Sequence, residues 1–585
     1  MEDIMMRRPV FCLATFLAMI ATPAAMQAQD ASGGQALMSF DTRHHDVIAE
    51  SGMVSAQDGI AAKVGRYILA EGGNAIDAAV ATGFALAVTH PQAGNLGGGG
   101  FMLVHLAEDE NVIAIDFRET APLQATRDMY LDANGDVDNR LAQYSRLSAG
   151  VPGTVMGLLD ALEQYGTMSR SDVLQPAIRL AADGFPVSYA LADSLESNRA
   201  EFSADESSVG YFLGRKAGDL LVQADLAATL ARIEEDGADG FYAGETADLI
   251  VAEMQQGTGV MTFEDLANYE TVTRAPVKGE FRGHDIYAMS PPSSGGVHIV
   301  QMLNILGGYD LEADGHNSAA YLHKLIEAMR RAYADRSKYL GDPDFVDVPV
   351  EAITSMDYAD RLRDTITLSA ATRSADILPG AQLRPESPDT THYSVIDQHG
   401  NAVAVTYTLN FSFGSGYSVD GAGFLLNNEM DDFSAKPGAP NGYGLIGGTA
   451  NEIAPLKRPL SSMTPLIVKK DGEIVLVTGS PGGSTIITSV MQVVLNVVEW
   501  EMNLAEATHV PRLHHQWLPD LVFPEPGISA DTLGLLEDLG HIFPRDDEGT
   551  IGRTVIGRVN SVGTRAGKYV GAADPRGPDS LAVGH

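Results

Sequence analysis

The spacing of apolar positions changes several times along the chain. Residues 56–90 read as two helices separated by Gly72-Gly73-Asn74, a helix stop followed by a start, with the second ending at Pro91. The run Gly94-Asn95-Leu96-Gly97-Gly98-Gly99-Gly100 leads into an apolar strand, Phe101–His105. It has no Gly-Lys-Ser/Thr and no following helix, so close backbone packing explains it better than a phosphate cradle. A second strand, Val112–Phe117, ends at Arg118-Glu119. Residues 150–330 alternate helical patterns with turns such as Pro291-Pro292-Ser293-Ser294-Gly295-Gly296. Residues 318–340 carry apolar positions at helical spacing with charges between, which predicts an amphipathic helix.

Residues 375–389 are rich in Ser, Asp and Pro and read as an exposed loop. Directly after it the period drops to two. Thr390–Ile396, a turn at 397–401 and Ala402–Asn410 form a hairpin signal. In the second strand Val403, Val405, Tyr407 and Leu409 share one face. Ala402, Ala404, Thr406, Thr408 and Asn410 share the other. A face of small and polar residues suits either a solvent-exposed sheet surface or the floor of a site. Further on, Glu473–Thr478 reads as a strand, Gly479-Ser480-Pro481-Gly482-Gly483-Ser484 as a turn and 485–500 as an apolar helix. That order presents free N–H groups at a helix start, either as an ordinary turn or as a place for a developing oxyanion.

Charge and chemistry narrow the classes. Asp and Glu number 77 against 39 Lys and Arg, a net charge of −38, which disfavours nucleic acid and anionic lipid as partners. Arg7 and Arg8 precede an apolar run from Val10 to Ala21 and small residues at Ala24, Ala25 and Ala28, the layout of a secretory signal peptide over 1–28. No stretch reaches membrane-span length, so the expected destination is the periplasm or the medium. The single cysteine, Cys12, lies in that segment, leaving no thiol or disulfide afterwards. No metal motif is present; the pairs His44-His45 and His514-His515 read as surface or packing residues. No Gly-x-Ser-x-Gly elbow is present either. A threonine where a loop becomes a strand remains. If the chain is cut before Thr390, the freed α-amine, with an ordinary pKa of about 7.7–8.0, is a base for its own hydroxyl.

Several long motifs occur in order: Gly94–Met102, Asp116–Glu119, Pro291–His298, Tyr333–Phe345, Thr390–Val395, Asn427–Asp432, Pro459–Met463, Gly479–Gly483 and Asp574–Arg576. Together they resemble the γ-glutamyltranspeptidase family, above all its bacterial periplasmic members. The resemblance implies an α/β (α+β) N-terminal nucleophile hydrolase with a four-layer α-β-β-α sandwich. It implies one precursor that cuts itself between Asp389 and Thr390 into a large subunit, 29–389, and a small one, 390–585, which stay together as a heterodimer. Thr390 would be the nucleophile, supported by Thr408, with Gly482 and Gly483 supplying the oxyanion hole. Arg118, Ser461 and Ser462 would hold the substrate α-carboxylate; Asn410, Glu429 and Asp432 its ammonium; Tyr443 would sit in a lid. Neither cofactor nor metal is implied.

Two positions depart from the bacterial pattern: Asp389 stands where Gln often precedes the nucleophile, and Glu429 where some members have Gln. The expected function is transfer of the γ-glutamyl group of glutathione, glutamine or related amides to water, amino acids or short peptides. The alternatives are a cephalosporin (glutaryl) acylase of the same family and a periplasmic amino-acid-binding protein without chemistry.

Overall fold

Asn74 shows how the sequence sets its own boundaries. Its side chain accepts the N–H groups of Ile76 and Asp77, and Asp77 accepts the Asn74 N–H at 2.8 Å, a capping box that starts the helix Ala75–Thr89 after Gly59–Ala70 has ended. The computed structural model describes residues 45–377 and 390–585. The signal segment with Cys12, His44, Asp389 and most of the polar loop before Thr390 lie outside the described residues.

Two seven-stranded antiparallel sheets face each other. One runs in the order 581–584, 52–56, 391–397, 402–408, 99–106, 111–117, 272–274. The other runs 47–49, 568–573, 560–565, 473–478, 466–470, 284–288, 277–281. Val54, Val104, Val395, Val403, Val405 and Tyr407 pack outward against the helices at 59–89 and 154–183. Met53, Leu103, Ile396, Ala402 and Ala404, one residue out of phase, pack inward toward the second sheet, which the helices Gly295–Leu306, Ala319–Tyr339 and Thr485–Val498 cover. This period-two division produces the four layers, α-β-β-α. The small and polar face of Ala402–Thr408 is therefore the inner face, fully buried, and not a solvated surface.

The strands flanking residue 390 belong to both halves of the chain. Gly52–Ala56 lies between Leu581–Gly584 and Thr391–Asp397, and Gly99–Leu106 pairs with Ala402–Thr408. The glycine run before that strand is tightly packed: a Cβ on Gly98 would collide with the carbonyl oxygen of Thr408.

One element differs from its expectation. The helix Ala319–Tyr339 is not amphipathic toward water; every residue from Tyr321 to Arg336 is buried, charges included. The charges are tolerated because they are paired. Lys324 reaches Asp314 at 2.5 Å, Arg331 reaches Glu327 at 2.7 Å, and Arg330 pairs with Asp520. His514 and His515 are buried packing residues, whereas His45 is exposed. Among the described residues no helix is long and apolar enough to cross a membrane.

Candidate active site

Strand register assembles the site. Thr391 pairs with Tyr407, so Thr390 lies beside Thr408. Thr408 pairs with Gly99, and Gly100 with Phe117, which brings Arg118 to the same end of the sheet. From the facing sheet, the strand Glu473–Thr478 ends in the turn carrying Gly482 and Gly483. One cavity is lined by Arg118, Thr390, Thr408, Asn410, Glu429, Asp432, Tyr443, Ser461, Ser462 and Gly483, with Leu445, Met463 and Ile486. Every expected site residue among those described lines it except Gly482, which is next in the chain to Gly483.

At one end the chemistry is neutral. The Thr390 and Thr408 hydroxyl oxygens are 3.4 Å apart, and Thr408 Oγ1 accepts the Asn410 N–H at 2.8 Å. Gly482 and Gly483 have φ of +133° and +54°, conformations glycine adopts at little cost. The Gly482 carbonyl accepts the Thr485 N–H at 2.9 Å, turning the chain into the helix Thr485–Val498. The nearest histidine in sequence, His392, is engaged by Thr406 at 2.8 Å and Ser394 at 2.9 Å. Burial lowers its pKa to about 3, so it is neutral and does not face Thr390 as a base.

The other end is crowded with charge. Arg118 is fully buried. Its guanidinium pairs with Glu429, with Asp432 at 2.5 Å and with Glu119 at 3.5 Å, and donates to the Pro459 carbonyl at 3.3 Å. Burial works against its charge, but the three carboxylates more than offset that and hold it protonated. Three acids around one cation leave a surplus of negative charge. Burial, only partly countered by Arg118, raises the pKa of Glu119 to about 7 and raises those of Glu429 and Asp432. Among the described residues Asn410 Oδ1, Glu429 Oε2 and Glu119 Oε1 are buried without a hydrogen-bond partner. Open acceptors of this kind suit a ligand that brings donors of its own.

The backbone of Arg118 is held from two sides: its N–H donates to Asp116 at 3.0 Å and its carbonyl accepts the Tyr269 hydroxyl at 2.9 Å. Above the cavity, Asn441 donates to Asp432 at 3.0 Å and the Gly442 N–H to Asp431 at 2.8 Å. Tyr443 donates its hydroxyl to the Asn410 carbonyl and meets Phe411 edge-on at 5.2 Å. The 441–445 turn therefore covers the charged end.

Reading the sequence missed Leu445, Met463, Ile486 and the third acid, Glu119. It also missed Arg336, whose guanidinium donates to Ser462 Oγ at 3.2 Å. A signal for Arg336 was present: it continues the stripe Leu322, Ile326, Met329, Tyr333 at steps of three and four, a charge where an apolar residue belongs. His323, Glu327 and His541 also come together, with ligand atoms within 4.8 Å. Glu327 already accepts from Arg331 and from the Thr372 N–H at 3.0 Å, so a cation's place there is taken by guanidinium.

The sandwich with a threonine at the start of an inner strand defines an N-terminal nucleophile hydrolase. The Gamma-glutamyltranspeptidase profile matches residues 61–584, and the chain belongs to this family. It is 53% identical over 547 residues to a glutathione hydrolase proenzyme of Escherichia coli, covering 92% of this chain and 93% of that one. A cephalosporin acylase structure from Bacillus halodurans superposes with a TM-score of 0.83 at 28% identity, over 95% of this chain and 99% of that one. A γ-glutamyltranspeptidase structure from Helicobacter pylori matches at 46% identity with a TM-score of 0.55, over 60% of this chain and all of that one.

Proposed function

We propose that Thr390 is the nucleophile of this self-processing γ-glutamyl transferase and hydrolase, acting first on its own chain and then on the donor. The observation that carries the reading is one cavity with a threonine hydroxyl at one end and a guanidinium flanked by carboxylates at the other. In maturation, Thr390 Oγ attacks the Asp389 carbonyl, and hydrolysis of the resulting ester frees the α-amine. No His or Lys lines the cavity among the described residues. That leaves the freed amine as the base that takes the Thr390 proton and passes it to the leaving amine of the donor. Gly482 and Gly483 N–H groups receive the oxyanion. The γ-glutamyl ester then passes to water, an amino acid or a short peptide. Glutathione and glutamine fit as donors.

The charged end explains the choice of head group. Arg118 is paired with the acids that an ammonium would engage. A zwitterionic α-amino acid can insert between them, giving its carboxylate to Arg118, Ser461 and Ser462 and its ammonium to Asn410, Glu429 and Asp432. A glutaryl group offers no ammonium to replace the pairs it breaks, which disfavours the acylase reading. Large and small subunits of residues 29–389 and 390–585 remain associated because both sheets take strands from each. Residues 1–28 direct export, with the periplasm or the medium as destination.

The test is maturation. The purified protein should run as two chains with Thr390 at a new N-terminus, and Thr390→Ala should stay whole and inactive. Efficient cutting of Thr390→Ala at the same bond would refute the assignment.

A further inference from the structure

A hydroxyl offers one hydrogen to donate and two lone pairs to accept with. Ser462 Oγ accepts from Arg336 Nη2 at 3.2 Å, and Ser461 Oγ accepts the Met463 N–H at 3.1 Å. Among the described residues neither hydroxyl donates to a protein acceptor, and both serines line the cavity. Each is thus oriented with its lone pair turned to the protein and its hydrogen left for an acceptor in the cavity. Arginine has no acceptor atom, so its contact can be made in no other sense. The same guanidinium donates through Nε to Ser294 Oγ at 3.0 Å. Ser294 Oγ in turn donates to the Ser461 carbonyl at 2.7 Å, and the Ser294 N–H reaches that carbonyl at 2.8 Å. Arg336 is only 4% exposed, and its charge also favours the ionised form of Asp432, so it stands close behind the charged end of the site.

We propose that Arg336 is a positioning residue for the donor's α-carboxylate, and a second cation behind Arg118. It fixes the Ser462 hydroxyl as a donor and, through Ser294, sets the backbone that carries the Ser461 hydroxyl. An anion bound there meets two O–H donors already pointed at it, with a positive charge behind them. This pre-orientation acts on binding of the α-carboxylate and not on chemistry at Thr390. It rests on the reading that Ser461 and Ser462 face that carboxylate.

The experiment compares two p-nitroanilide donors, γ-glutamyl and 4-aminobutyryl. The second keeps the ammonium and the scissile amide but lacks the α-carboxylate. The ratio of their kcat/KM values is measured for the parent, Arg336→Gln, Ser462→Ala and the double variant, each verified by gel as cut at Thr390. Arg336→Gln should lower the ratio about 10-fold, through KM of the γ-glutamyl donor, with a much smaller loss on the aminobutyryl donor through the weaker ionisation of Asp432. The double variant should lose less than the product of the single losses, because Arg336 acts partly through Ser462. Equal loss for both donors would make Arg336 structural and overturn the proposal. An unchanged ratio in Ser462→Ala would instead sink the underlying carboxylate reading. Should Arg336→Gln fail to mature, Ser294→Ala serves: it keeps the charge, breaks only the relay to Ser461, and should lower the same ratio by a smaller factor; no change there would refute the relay.

Discussion

Two clusters of buried acids and guanidinium groups lie in this protein, and they are built to opposite plans. In the first, Arg512 and Arg576 meet Asp574 and Glu525, charges in balance. Each of the four carboxylate oxygens accepts two hydrogen bonds. Asp574 takes the Arg576 N–H and Nη1 at 3.0 Å each, and Arg512 Nη2 and the Val559 N–H at 2.8 Å each. Glu525 takes Ile556 N–H and Arg576 Nε at 2.7 Å, and Arg512 N–H and Arg576 Nη2 at 2.8 and 2.5 Å. In the second, Arg118 faces three acids, and among the described residues two of their oxygens have no partner. Burial tends to raise the pKa of Asp574, but Arg512 and Arg576 override it and hold it at about 2, whereas burial prevails over Arg118 and lifts Glu119 to about 7. The carboxylates of the first cluster are saturated, and only Arg512 Nε lacks an acceptor among the described residues; the acids of the second keep open acceptors, which suit a ligand that brings donors of its own.

The contrast breaks most visibly where the saturated cluster is cut. Asp574→Ala leaves two buried guanidinium groups short of a partner, and should cost about 3–5 kcal/mol of stability. Denaturant unfolding would show it. Whatever enzyme folds and matures should keep the parent's preference between γ-glutamyl and glutaryl anilides. A changed preference would mean that this cluster too belongs to the site.

Cutting the unsaturated cluster should do the reverse. Asp432→Asn should lower γ-glutamyl turnover about 100-fold while glutaryl turnover gains relative to it, with little change in stability and normal cutting at Thr390. The ratio of kcat/KM values for the two anilides reads this. Should it stay constant, Asp432 does not meet the ammonium and the acylase reading reopens. Arg118→Lys keeps the charge but loses the planar fork, and should cost about 10- to 30-fold on donors with an α-carboxylate. Equal loss on a donor without one would reassign Arg118 to holding the strand end.

Sequence pattern made the inner hairpin legible because alternation is a local property: Thr406 and Thr408 stand out where a core strand would be apolar. The four layers and the gathering of Arg118, Glu429 and Asp432 into one site were not in the alternation and came from motif resemblance; the ion pairs among them came only with the fold. The helix Ala319–Tyr339 misled because periodicity alone cannot tell a solvated charge from a buried, paired one. Arg330 and Arg336 look the same in sequence, and only Asp520 near one and Ser462 near the other separate their roles. Glu119 was hidden by its neighbour, since consecutive residues on a strand are expected to point apart, and the chain leaves the strand at Phe117.

The smallest expected effect tests the contrast by pH. The Glu119 carboxyl has an ordinary value of 4.5 and sits at about 7 in the fold, raised by burial that Arg118 only partly offsets. Between those values the unfolded chain has released a proton that the folded site retains, so stability falls as pH rises through this window. Asp574 has the opposite sign. Its pKa is about 2 in place of 3.8, so its contribution is present above pH 3.8 and lost as pH falls toward 2. The decline from pH 4.5 to 7 is read as a fall in Tm at constant ionic strength. Glu119→Gln should flatten that decline and leave the acid limb untouched. Saturating L-glutamate, whose ammonium supplies the missing positive charge, should also flatten it in the parent. A Tm that is level or rising across pH 4.5–7 in the empty parent would show that these acids ionise freely without a ligand, and the distinction between a saturated and an unsaturated cluster would fail.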